Sequence, residues 1–167
     1  GRIVDADTSA KWNRSINTNG ALLIRHEKEL IIRRAEPDSY YNADTQYSDI
    51  LIAGPLLLYQ GEIEELPNSS LVTTRHPRTA AGVKHGKKVI LLTADGRTRD
   101  AEGLTLNQLS RLMQSLGCHD ALNLDGGGST TMWISGKPFS GVVNMPCDNK
   151  KFDPEGERAV SDILIIK

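Results

Sequence analysis

Residues 104–130 read LTLNQLSRLMQSLGCHDALNLDGGGST, and two different periods follow one another along them. Leu106, Leu109, Leu112, Met113 and Leu116 recur at the spacing of one helical face. Thr105 stands three places before Gln108, the pairing of a capping box, in which the two residues satisfy each other's orphan N–H groups. Gly117 ends the pattern, where the chain needs a left-handed residue and glycine supplies one without steric cost. Ala121 to Leu124 then reads as a short strand that runs into Asp125, three glycines, Ser129 and Thr130.

The flanking segments add further strands. Arg78–Val83 and Lys88–Ala94 flank KHGK, a hairpin signal. Val89-Ile90-Leu91-Leu92 is β-branched and aliphatic, which predicts a buried central strand. Strand–helix–strand across residues 89–124 predicts one parallel crossover. Residues 21–34, ALLIRHEKELIIRR, read as a second hairpin around a charged turn. Residues 35–49 are polar, carry a proline and predict an irregular surface segment. Residues 50–58 are apolar but interrupted by Gly54-Pro55, which predicts a bent or edge strand. Thr130–Ile134 and Asp162–Ile166 read as two further strands. The sum is an α+β fold, a mixed β-sheet with few helices, in one domain spanning 1–167.

Composition limits the function. The chain has 167 residues, 38% hydrophobic and 25% charged, enough for one core. Its 20 basic and 21 acidic side chains nearly cancel, so there is no bulk charge to draw it to nucleic acid or a membrane surface. Its apolar runs, such as LIAGPLLLY at 51–59, are too short to span a bilayer. Cys118 and Cys147 fit either a disulfide or two buried thiols. Asn13-Arg14-Ser15 and Asn68-Ser69-Ser70 match the glycosylation acceptor pattern.

Chemistry gathers at strand ends. Asp125 precedes Gly126, Gly127 and Gly128, whose missing Cβ atoms let a ligand approach the backbone and whose N–H groups can form a nest for an anion. Ser129 and Thr130 add hydroxyls. The loop lacks the Gly-Lys-Ser/Thr ending of a P-loop and the acid spacing of an EF-hand. A plain turn between two strands is the competing reading. Thr74-Arg75-His76-Pro77-Arg78-Thr79 opens a strand with guanidiniums and an imidazole, Asp95-Gly96-Arg97 closes one, and Glu157-Arg158 precedes the last. Arginine forks suit phosphate or carboxylate. Asn144 is polar inside the apolar VVNMP. His26, His85 and His119 lack metal-ligand spacing.

TRHPRTAAGV, ADGR, the long stretch ending in NLDGGGSTTMW, VVNMP and GERAVSDILII occur in that order, and the set resembles the phosphodiester glycosidase family from about Ile50 to Ile166. Residues 1–49 match poorly, and the Asn/Gly/Phe-Phe segment that opens the family domain is not found. The chain therefore resembles the C-terminal part of that domain, and the resemblance implies the preceding segment as a partner.

The resemblance also implies a hydrolase that cleaves a sugar 1-phosphodiester at the glycosidic C–O bond, releasing an N-acetylglucosamine-like sugar and a phosphate monoester. It implies a glycan or sugar phosphodiester as partner and an exported location. It maps the family's polar cavity onto Arg78, Thr79, Asp95, Arg97, Asn123, Asp125 with its glycines, Ser129, Thr130, Asn144, Glu157 and Arg158. On charge grounds Asp125 is the first choice for base or nucleophile and Glu157 the second, with Asp95 free to orient an arginine. Arg78, Arg97 and the nest N–H groups would hold the phosphate. No cofactor is required, though calcium or magnesium on Asp95, Asp125 and Glu157 would suit a metal-dependent phosphodiesterase. A module that binds sugar phosphate without turnover is the other alternative.

Overall fold

The helix forms as its spacing predicts, and it sits where strand pairing puts it. The computed structural model describes residues 15–43 and 46–166; Asn13 of the first glycosylation triplet lies outside them. In chain order the elements are β1 (Gly20–Arg25), β2 (Leu30–Arg34), α1 (Asp38–Ala43), β3 (Tyr47–Ala53), β4 (Leu56–Tyr59), β5 (Glu62–Ile63), α2 (Ser70–Thr73), β6 (Arg78–Lys84), β7 (Val89–Ala94), α3 (Leu106–Ser115) and β8 (Cys118–Asn123). The Thr105 hydroxyl accepts from Gln108 N–H at 3.1 Å, and the Gln108 amide accepts from Thr105 N–H at 3.0 Å. Gly117 closes the helix at φ +81.

Two sheets result, ordered β2-β1-β3 and β5-β4-β8-β6-β7, and their strands pair antiparallel. Both hairpins form as read, Leu22 opposite Ile32 in one and Ala81 opposite Leu91 in the other. Because β6 is antiparallel to both β7 and β8, those two run parallel to each other on either side of it. The expected parallel crossover through α3 is therefore present, but it steps over one strand. The α+β expectation holds, but every pair of adjacent strands is antiparallel, so the expected mixed sheet is instead two antiparallel ones.

Three apolar layers stack. Leu57, Leu58, Ala80, Ala121 and Cys118 face Leu106, Leu109 and Met113 of α3. The other face of the larger sheet sets Leu56, Ala81 and Leu122 against Leu22 and Ile32 of the smaller. Beyond that, Ala21 and Leu23 meet Tyr41 of α1. A glycine admits each close approach. A Cβ on Gly82 would stand 2.7 Å from Met113 Cε, and one on Gly20 would overlap the Leu122 side chain. Cys118 and Cys147 are buried and free.

Several expectations change. β7 is an edge strand, not a central one. Its apolar run reflects two covered faces, with Ile90 and Leu92 on the helix side and Leu91 on the sheet side. Within residues 35–49, α1 forms and β3 begins; buried Tyr41 anchors a segment whose polar composition read as irregular. Gly54-Pro55 does not bend one strand but separates β3, which is an edge strand as expected, from β4, which lies inside the other sheet.

The strands expected at Thr130–Ile134 and Asp162–Ile166 are absent among the described residues. The first is reduced to one bridge, Trp133 to Val142. In the second, Leu164 packs against the inter-sheet core while Ile163 and Ile165 are 73% and 60% exposed. Period-2 alternation orients side chains there, but no described strand lies alongside to complete a ladder.

Thr105→Ala removes an N-cap and half of the capping box. It is expected to lower stability by about 1 kcal/mol, read as a shift of the urea midpoint at unchanged m-value.

Candidate active site at the glycine loop

Strand direction assembles the site. The N-terminal end of β6 lies at the same sheet edge as the C-terminal ends of β7 and β8, with Arg78 opposite Ala94 and Ala80 opposite Asn123. Arg78-Thr79, Asp95-Gly96-Arg97 and Asn123 to Ser129 consequently meet at one edge although up to 50 residues part them. The hollow lined by Arg25, Lys28, Glu29, Lys87 and Val89 lies at the opposite end of the hairpin and shares none of these groups.

The glycine loop is a floor on which charged groups rest. A Cβ on Gly126 would stand 2.8 Å from Pro77 O, and one on Gly127 2.9 Å from Arg97 Nη1. One on Gly128 would overlap the Asp148 carboxylate and Arg158 Nη2. Gly127 also takes a left-handed φ of +62. Two of the N–H groups expected to form a nest are engaged within the chain: Gly126 donates to Asp125 Oδ1 at 2.9 Å and Gly127 to Pro77 O at 2.9 Å. Packing of side chains, more than an open nest, explains why three glycines are needed.

The arginines divide by environment. Arg78 is 4% exposed. Its Nε donates to Leu104 O at 2.9 Å and its Nη2 to Leu71 O and Thr74 O at 2.8 and 3.0 Å. Burial, reinforced by the Arg97 charge, lowers it to about 10, so it stays cationic at neutral pH. These bonds tie α2 and the segment before α3 to the sheet, and among the described residues they leave Nη1 uncommitted. Arg158 is bound through Nε and Nη2 to the two oxygens of Asp148 at 2.7 and 3.0 Å. That fork holds the Asp148 carboxyl below the usual carboxylate range and raises Arg158. Arg97 is exposed, and among the described residues it has no salt bridge; its Nε donates to His76 Nδ1 at 3.2 Å.

The acids also separate. Asp95 Oδ1 accepts from Asn144 Nδ2 and Met145 N, both at 2.9 Å, so it staples the returning loop and bonds to no arginine among the described residues. Asn144, 7% exposed, uses its whole amide: Oδ1 accepts from Met132 N at 2.8 Å and Nδ2 also reaches Thr130 O at 2.9 Å. Asp125 is exposed, within electrostatic reach of Arg158. Glu157 is exposed and makes no side-chain bond among the described residues.

Thr79 and buried Thr130 share hydroxyls at 3.3 Å. Asn123 donates to Gly54 O and Leu124 O at 2.8 and 2.9 Å, while its buried Oδ1 has no partner. Ser129 is half-buried at the end of the loop. Among the described residues no three His, Cys, Asp or Glu side chains converge as a metal site, and Asp95, Asp125 and Glu157 do not form such a group.

The residues expected at the site thus share one edge, but Arg78, Asp95 and Asn144 spend most of their polar atoms on framework. Asp148 and His76 join them. Asp148 follows NMPC in a stretch with no motif of its own, and only the fold brings it under Arg158. His76 is visible in TRHPRT, but nothing local marks it as a partner of Arg97.

A family model described as phosphodiester glycosidase matches residues 1–167. The chain belongs to this family. The match includes residues 1–49, where motif reading found little resemblance. The chain is 34% identical over 106 residues to the SPβ prophage-derived uncharacterized protein YomE of Bacillus subtilis, covering 60% of this chain and 15% of that protein. It is 37% identical over 68 residues to mouse N-acetylglucosamine-1-phosphodiester alpha-N-acetylglucosaminidase, covering 41% of this chain and 13% of the enzyme.

The zebrafish catalytic domain of that name, auto-inhibited by its pro-peptide, superposes at TM-score 0.63 with 25% identity, over 77% of this chain and 45% of that one. A hypothetical protein from Synechocystis shares the fold at TM-score 0.54 and 19% identity, over 86% of this chain and 33% of that one. The chain thus spans less than half the length of each of these relatives.

Asn144→Ala strands Met132 N–H and removes a donor from Asp95. Leaving such groups unsatisfied is expected to cost about 2–3 kcal/mol, measurable by chemical denaturation.

Proposed function

We propose that this chain carries the phosphate-binding side of an active site that hydrolyses a sugar 1-phosphodiester at the glycosidic C1–O bond. The observation that carries the reading is the pair of arginines seated on Gly127 and Gly128, of which Arg97 makes no salt bridge among the described residues. Membership in the family supports the class of reaction; the sugar and the aglycone are part of the proposal, with N-acetylglucosamine favoured by the names of the mouse and zebrafish relatives.

In this reading a water oxygen, or a carboxylate oxygen, bonds to C1. The C1–O bond breaks, and its electron pair leaves on the phosphate oxygen. The departing phosphate monoester has a second pKa of about 6, so it leaves with little need of a strong general acid. Growing negative charge on the phosphate is met by Arg97, with Arg78 Nη1 and Arg158 behind it, in fixed positions that need no reorganisation. Asp125 is the preferred group to take the proton from water or to attack C1, since it is exposed beside the arginines, and Glu157 is second. Asp95 holds the loop. The part of the family domain that this chain does not span is proposed to complete the sugar subsite. A glycan phosphodiester substrate further assigns the enzyme to an exported compartment.

The test is incubation of this chain, alone and extended to the full family domain, with N-acetylglucosamine-1-phospho-6-mannose, with products identified by mass spectrometry and NMR; turnover is expected where the sugar subsite is complete. Free N-acetylglucosamine and mannose 6-phosphate are expected; N-acetylglucosamine 1-phosphate and mannose would overturn C–O cleavage. Asp125→Asn is expected to abolish turnover with the fold intact. Arg97→Ala should lose on the order of 100-fold on the phosphodiester and much less on a neutral aryl glycoside. Equal losses on both would remove Arg97 from phosphate binding.

A further inference from the structure

We propose that His76 is the positioning residue for Arg97: as a neutral imidazole protonated on Nε2, it aims the guanidinium over Gly127 without cancelling its charge, and its protonation in acid releases Arg97 from the site. The inference deepens the reading of Arg97 as a phosphate ligand and rests on it for its consequence, though not for the contact itself.

The contact fixes a proton. Arg97 Nε–H faces His76 Nδ1 at 3.2 Å. A guanidinium has donors only, so Nδ1 must present its lone pair, and a neutral ring must then carry its proton on Nε2. Both partners are held by backbone. His76 exchanges N–H···O bonds with Leu104 at 3.2 and 3.0 Å, and Gly103 lies so close to the His76 backbone that a Cβ there would overlap it. Arg97 takes a left-handed φ of +58 directly after Gly96, which is wedged against Pro77 N and Gly103 Cα. A non-glycine residue is rarely found in that region, and here the Arg97 guanidinium lies over Gly127.

Comparison with Arg158 shows what a neutral acceptor achieves. Both arginines rest on adjacent glycines of one loop. Arg158 is oriented by Asp148, which also neutralises it. Arg97 is oriented by an uncharged nitrogen and makes no salt bridge among the described residues; Asp148, bonded to Arg158, reaches it only through space, so more of its positive charge stays available to an anion.

The surroundings keep the ring neutral. Burial is the main effect lowering its affinity for a proton, followed by the charges of Arg97 and Arg78. On the neighbouring segments Arg75 and Glu102 pair with each other at 3.6 Å, and Asp148 pairs with Arg158 while also feeling the Arg97 charge. Among the described residues no carboxylate bonds the His76 ring. Because the folded ring resists protonation, its effect on stability is absent above about pH 6.5 and becomes a penalty as pH falls below that value, where the unfolded chain takes up the proton first. Once the folded ring is protonated, a donor faces a donor and two like charges stand 3.2 Å apart. A phosphodiester stays singly charged over the same range, so loss of binding in acid would arise in the protein.

The experiment has two arms on the intact chain. Long-range 1H–15N correlation spectra read the His76 tautomer and its titration. The Nε2–H form is expected at neutral pH, with a midpoint below the ordinary histidine range that rises in Arg97→Ala. An Nδ1–H tautomer, or a midpoint indifferent to Arg97→Ala, would overturn the proposal.

NMR titration with diethyl phosphate at pH 7.5 and pH 5 reads the consequence. Wild type should lose about tenfold in affinity in acid, the scale of one charge-assisted hydrogen bond. His76→Asn keeps an acceptor near the place of Nδ1 but cannot titrate, so it should bind alike at both values. His76→Ala should be weak at both, with an otherwise native spectrum. Equal acid sensitivity in wild type and His76→Asn would overturn the proposal. No binding by any variant, with the tautomer and midpoint as expected, would reject the phosphate reading while upholding His76 as the residue that positions Arg97.

Discussion

The direction of β6 is the constraint on which the site depends. It lies between β7 and β8 and runs antiparallel to both. Two C-terminal strand ends and one N-terminal end are thereby forced onto a single edge. The connection from β7 to β8 must cross the face of the sheet, and α3 makes that crossing with Leu106, Leu109 and Met113 buried beneath it. Gly82 lets the helix come close enough to cover the strand below. Loops at this edge can diverge in chemistry because the hydrogen-bonded ladder and the helix hold their roots still.

On that edge the glycine loop works by what it lacks. Gly126, Gly127 and Gly128 occupy positions where a Cβ would meet Pro77, Arg97 and the Asp148–Arg158 pair in turn. Charged side chains from three distant segments can therefore be seated on a short piece of backbone. The Gly126 and Gly127 N–H groups are engaged inside the chain, so the proposed anion recognition rests on the arginines.

Those arginines do different work because their partners differ. Arg78 gives three N–H bonds to carbonyls and locks α2 and the approach to α3 onto the sheet. Arg158 is neutralised by Asp148. Arg97 is oriented by His76 and keeps its charge. Asn144 and Asp95 show the same economy of polar groups on the framework side, since their mutual bonds hold the loop after the glycines against the end of β7.

The sequence by itself determined the local elements and the set of candidate groups. The capping box at Thr105, the apolar spacing of α3, both hairpins and the glycine loop are written in residues close together, and local physics suffices to read them. It also marked Arg97, Asp125 and Arg158 as chemistry at strand ends. Tertiary structure alone decided what depends on long-range partners. It made β7 an edge strand, because an apolar run reports covered faces and not the number of hydrogen-bonded neighbours. It left 162–166 without a ladder, because alternation orients side chains but supplies no strand to pair with. It turned Arg78, Asp95 and Asn144 toward the framework and brought in Asp148 and His76, because which donor meets which acceptor is fixed only when segments far apart in the chain come to lie side by side.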